Sequence, residues 1–142
     1  MSLLVVTPSG RFEDLPADEL DELLRDVFLD DPESYWSAAD GDAGLHFDDG
    51  KTRARLVLLY QAGRGYYVSY YRAGDGTEHV LQQSALADTP VTVYFGGEPL
   101  QASSRMFVTP SQAWGAISQF VADPHRLPAP GAELSWAATG KV

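Results

Sequence analysis

The chain reads as an α+β domain: one antiparallel β-meander with two helices packed on one face of its sheet. Three observations predict this. Apolar residues recur at helical spacing in two segments, Leu20 to Phe28 and Ala113 to Val121. Between them lie β-branched and aromatic runs separated by Gly-bearing turns at hairpin spacing. The resulting order β, α, meander, α, β keeps the helices outside the strand run, unlike an alternating β/α chain. With 142 residues, no repeat and no long linker, residues 1–142 are expected to form a single domain.

Each element follows from local chemistry. Leu3 to Thr7 is an apolar and β-branched strand closed by Pro8-Ser9-Gly10. A helix is predicted with Pro16 at its first position and Asp18 and Glu19 at the positive end of its dipole. Leu20, Leu23, Leu24, Val27 and Phe28 form its buried stripe, while Asp21, Glu22, Asp26 and Asp30 face outward. Residues 31–50 (DPESYWSAADGDAGLHFDDG) lack periodicity and are predicted to be a long loop with a short strand at Leu45 to Phe47. An acidic helix and loop thus occupy residues 12–50.

The meander is predicted over residues 52–108, with strands at Thr52–Tyr60, Tyr66–Arg72, Thr77–Ser84, Val91–Gly97 and Arg105–Val108. Period-two alternation puts Ala54, Leu56, Leu58 and Tyr60 on one face of the first of these, and Arg53, Arg55, Val57 and Leu59 on the other. Residues 109–136 begin with a capping box, in which Thr109 is the N-cap, Pro110 the first helical residue and Gln112 the residue reaching back. The helix buries Ala113, Ala116, Ile117, Phe120 and Val121 and stops at Asp123-Pro124. PHRLPAPG then leads to a closing strand, Glu133 to Trp136.

Charge is distributed unevenly. Of 20 acids, 14 lie between Phe12 and Gly50, with Arg25 the single base among them, although the whole chain carries −10. Such a field repels phosphate, so direct nucleic-acid binding and an anionic membrane surface are disfavoured and a cationic partner is favoured. The chain has no cysteine, which excludes disulfides and Cys-based metal or nucleophile chemistry. The N-terminus has no basic segment ahead of its apolar run, and no run approaches the ~18 apolar residues of a membrane helix. A cytoplasmic location is expected.

No catalytic motif appears. His46, His79 and His125 show no ligand spacing. DGDAGLHFDDGK, counted from Asp40, puts Gly44, Leu45 and Lys51 where a calcium loop needs Asp or Asn, Gly and Glu. There is no G-x-S-x-G, and carboxylates on a polar helix face and loop stay ionised instead of acting as general acids. No enzymatic activity, cofactor or metal is expected. The aromatics point to binding: Tyr35 and Trp36 sit inside the acidic loop between Glu33 and Asp40, and such residues anchor interfaces that flanking acids steer toward a basic partner.

The stretch RMFVTPSQAWGAISQFVADPHRLP, followed by LSW, resembles the C-terminal signature of a family of immunity proteins from bacterial polymorphic toxin systems, often encoded beside deaminase toxins. Its places look to be held by Val108, Thr109, Ala113, Ala116, Phe120, Pro128 and Trp136, and the strands VTVYFGG and YYVSYYR are similar in style. The family's turn glycine is absent from ADPHRLP. The resemblance implies a cytoplasmic protein that neutralises a cognate toxin domain, one acting on nucleic acid, with its carboxylates standing in for phosphates. Glu33, Tyr35, Trp36, Asp40, Asp42, Asp48 and Asp49 are the expected contacts, with Asp21, Glu22 and Asp26 as steering charges. Tyr67, Tyr71 and Arg53 form an alternative surface. Two other classes stay open: an enzyme or small-molecule-binding domain using a tyrosine-lined pocket between sheet and helices, and an acidic regulatory or scaffold protein with a basic partner. The oligomeric state is left open.

Overall fold

A computed structural model describes residues 2–7, 10–32, 43–74, 76–83, 86–95, 98–131 and 133–140. Its main sheet contains β1 (Ser2–Thr7), β2 (Gly10–Glu13), β3 (Gly44–Asp48), β4 (Arg53–Gln61), β5 (Gly65–Arg72), β6 (Glu78–Gln83) and β9 (Leu134–Gly140), in the order β2-β1-β3-β4-β5-β6-β9. Every pairing is antiparallel. A separate two-stranded ribbon pairs β7 (Pro90–Phe95) with β8 (Glu98–Ser103). The helices are α1 (Ala17–Leu24), which continues into a π-helical turn at Arg25–Asp30, and α2 (Pro110–Ala122). The protein is an α+β domain with its helices on one face of a large antiparallel sheet.

The two sheet faces have different covers. Leu20, Leu24, Val27 and Phe28 from the first helix and Ala113, Ile117 and Phe120 from α2 share one core with Leu45, Leu56, Leu58, Tyr66, Val68 and Tyr70. The ribbon covers part of the opposite face, where Val93 packs with Leu59, Tyr67, Val80 and Phe107. Among the described residues, no element covers the rest of that face, toward β1 and β3. The predicted alternation of β4 underlies this division: its even-numbered residues meet the helices and its odd-numbered residues meet the ribbon or the open side.

Several details depart from the sequence reading. Pro16 is the N-cap of α1 rather than its first residue. β2 was not expected, since four residues with one buried-face aromatic, Phe12, carry little pattern; its return is fixed by Asp14, whose carboxylate accepts from the Leu3 N–H at 2.8 Å and whose N–H donates to the Leu3 carbonyl at 2.9 Å. The predicted strand Arg105–Val108 is a 3-10 turn at Ser104–Met106, because the Ser103 hydroxyl takes the Arg105 N–H and competes with a ladder. Val91–Phe95 pairs with the unpredicted β8 and leaves the main sheet, where β9 holds the place beside β6.

α2 is docked through its N-terminus. Thr109 and Gln112 form the predicted capping box, with the Gln112 N–H 3.1 Å from Thr109 Oγ1 and the Thr109 N–H 2.8 Å from Gln112 Oε1. One residue earlier, Val108 exchanges two backbone hydrogen bonds with Tyr66, of 2.8 and 2.9 Å. Gly65 makes this approach possible: its φ is +107°, and a Cβ there would be driven into the Val108 carbonyl. The far end of α2 is tied down by the Tyr70 hydroxyl donating to the Pro124 carbonyl (2.9 Å) and by Arg72 donating to the His125 carbonyl (2.7 Å).

Candidate partner-binding surface

The outer face of the first helix is almost uniformly acidic. Asp18, Glu19, Asp21, Glu22, Asp26, Asp30 and Asp31 are all exposed, as the period of its apolar stripe dictates. Arg25, the only cation in this stretch, is engaged. Its Nε donates to Asp21 Oδ2 at 2.8 Å, and its guanidinium lies 5.0 Å from the Trp114 ring centroid. Both pair members are about half exposed, so the bridge contributes only about 0.3–0.5 kcal/mol.

The π-helical turn keeps Val27 and Phe28 buried while Asp26 and Asp30 stay outside. The residue five places beyond Val27 is Pro32, which has no N–H to offer a widened helical ladder. The Tyr66 hydroxyl approaches the Val27 carbonyl at 3.5 Å instead. Beside this acidic ridge, α2 has no charged residue along its whole length. Its exposed positions are Ser111, Gly115, Ser118, Gln119, Val121 and Ala122, and a shallow groove of about 220 Å³ runs between the helices over Leu20, Leu24, Trp114 and Ile117. Interface cores are depleted in charge and their rims are polar, and this pairing of surfaces has that character.

Asp21, Glu22 and Asp26 therefore stand together on one exposed surface. Asp48 and Asp49 do not join them. Asp48 alternates with the core residue Phe47, which places it on the helix-free face opposite Arg53, and its Oδ1 accepts the Gly50 N–H at 2.8 Å. Asp49 organises the β3–β4 turn: its Oδ1 accepts the N–H groups of Thr52 (2.7 Å) and Lys51 (2.9 Å) and the Thr52 hydroxyl (3.2 Å). These bonds, that of the Thr52 N–H foremost, hold its carboxyl below the ordinary 3.8. Its Oδ2 faces His125 Nε2 at 3.3 Å, and His125 Nδ1 lies 3.0 Å from Thr52 Oγ1, so the turn is clasped to the segment after α2. Glu33, Tyr35, Trp36, Asp40 and Asp42 lie outside the described residues.

The alternative trio is also divided. Tyr67 is buried beneath the ribbon, 6.2 Å between ring centroids from Phe107, and desolvation pushes its phenol up to about 12. Tyr71 and Arg53 belong to the open part of the same face, Tyr71 half-buried and Arg53 exposed. Tyr66 and Tyr70, on the helix side, are core residues in contact with Phe28 and Phe120 respectively.

That open part of the sheet forms a cleft of about 450 Å³ that sequence reasoning did not anticipate. Strand register lays one row of side chains across its floor, from Glu13 through Leu4, His46 and Arg55 to Tyr71, and a second from Ser2 through Asp48 to Arg53. The available signal was the alternation that turned Arg53 and Arg55 away from the helices; the residues they meet depend on pairings no local pattern specifies. The same holds for Arg25 and Trp114, which no sequence spacing relates. Among the described residues, no three His, Asp or Glu side chains are placed to hold a metal ion, and no helix is long and apolar enough to cross a membrane. No protein-family model matches the chain, and no curated protein matches it either.

Proposed function

We propose that this protein is an immunity protein that binds and neutralises a cognate bacterial toxin acting on nucleic acid, through the acidic face of its first helix. The observation that carries the reading is that face: seven exposed carboxylates between Asp18 and Asp31, with Arg25, the one base within that stretch, engaged by Asp21 and Trp114. A cleft that binds nucleic acid must be basic, and a fixed array of carboxylates competes for it with the same charge that phosphates present. The uncharged surface of α2 alongside supplies area that costs little to desolvate. The resemblance of roughly residues 52–136 to the immunity family points the same way.

Binding requires no cofactor and no chemistry from this chain: steering by the acids raises the encounter rate, and apolar and aromatic contacts set the dissociation rate. The test is growth. Cells expressing the toxin domain encoded beside this chain should arrest alone and recover when the protein is co-expressed. Arrest that persists with the folded protein present at equal or greater amount would overturn the proposal.

A further inference from the structure

We infer that the cleft on the helix-free face is a binding site for a single carboxylate group, anchored by Arg55. The guanidinium of Arg55 lies 4.8 Å from the centroid of the Tyr71 ring. A guanidinium held over a ring keeps its N–H groups for a planar acceptor such as a carboxylate. Arg55 Nε is buried and has no hydrogen-bond partner among the described residues. A covered donor without an acceptor is costly, and an arriving carboxylate that draws the edge of the fork outward supplies two acceptor oxygens at once.

The cleft's own acids do not fill this role. Asp48 stands opposite Arg53 and only diagonal to Arg55, and its Oδ1 already caps the turn through the Gly50 N–H. Glu13 lies three strands away in the row, roughly 14 Å at ~4.8 Å per strand. His46 sits directly opposite Arg55 in register, so the anchor has a second nitrogen-bearing neighbour. Glu13 and Asp48 offset the charges of Arg53 and Arg55 within the cleft, and this balance disfavours polyphosphates and nucleic-acid strands over a single carboxylate. That group comes either from a small free acid or from an acidic side chain of a protein partner.

The site does not rest on the toxin reading, and its test separates the two. The full-length ¹⁵N-labelled protein is titrated with sodium acetate and, at matched ionic strength, sodium chloride, following the Arg55 Nε–H resonance. Acetate should give a saturating shift that chloride does not. Arg55→Lys, which keeps the charge and loses the fork, should abolish saturation at the backbone amides of β4 and β5. If that variant is unfolded, Tyr71→Ala, which releases the guanidinium plane, should weaken acetate binding at least fivefold. Identical shifts with acetate and chloride, or saturation that survives these changes, would overturn the site. With the site established, a tenfold or greater loss of affinity for the toxin domain in Arg55→Lys assigns the carboxylate to the partner, and unchanged affinity assigns it to a free small acid. Absence of toxin binding by the unaltered protein counts against the proposed function alone.

Discussion

Replacing Gly65 with alanine tests how α2 is held on the sheet. At φ +107° the added Cβ meets the Val108 carbonyl, so the variant incurs backbone strain and must also open the Tyr66–Val108 bridge. Strain at such a φ costs about 1–3 kcal/mol. Two backbone hydrogen bonds at about 0.5–1.5 kcal/mol each bring the expected loss to about 2–6 kcal/mol, a large share of the ~5–15 kcal/mol that stabilises a typical domain. At ~2–4 °C per kcal/mol the melting temperature should fall by roughly 10 °C. Gly63→Ala is the internal control, because its φ is +81° but nothing lies within 4 Å of the new Cβ, leaving a penalty of about 1–2 kcal/mol. Urea unfolding followed by circular dichroism measures both. Equal losses for the two variants would refute the claim that close approach to Val108, and not φ alone, requires Gly65.

Other consequences are read more simply. Thr109→Ala removes the hydroxyl that caps α2 and should cost about 1 kcal/mol in the same urea assay, with Thr109→Ser nearly neutral. Burial pushes the Tyr67 phenol up to about 12 from an ordinary 10.0, so its neutral form stabilises the fold below pH 10 and that contribution is lost as pH rises through 12; tyrosinate absorbance should lose a late-titrating component in Tyr67→Phe. Asp49 has the opposite sign: its lowered pKa gives stability that is complete above pH 3.8 and lost as pH falls below it, so Asp49→Asn should flatten the acid limb of a stability profile.

Legibility differed from element to element for physical reasons. The core face of the first helix, that of α2 apart from Val121, which was expected in the core and is exposed because it lies at the edge of the stripe, the capping box and the alternation of β4 were readable because each is written within a few neighbouring residues. β2 and β8 were not: GRFE and EPLQAS have little β pattern and are strands because β1 and β7 offer partners. The exposed acids of α1 follow directly from helical period, whereas the contact of Asp49 with His125 joins residues 76 positions apart in sequence. The Arg55 cleft required the register of five strands, so the sequence showed only that Arg53 and Arg55 face away from the helices.

The most direct measurement of the proposed function is the association rate of the protein with the toxin domain that the proposal requires, compared with that of Asp21→Asn/Glu22→Gln/Asp26→Asn at two salt concentrations. Removing three charges about 10 Å from a cationic site takes away about 0.9 kcal/mol of attraction at 0.01 M salt and about 0.4 kcal/mol at 0.15 M. The triple variant should therefore associate about fivefold more slowly at low salt and less than about twofold more slowly at 0.15 M, with dissociation nearly unchanged. Tight binding with identical association rates for both proteins at both salts would contradict the assignment of the acidic helix to the toxin-facing surface.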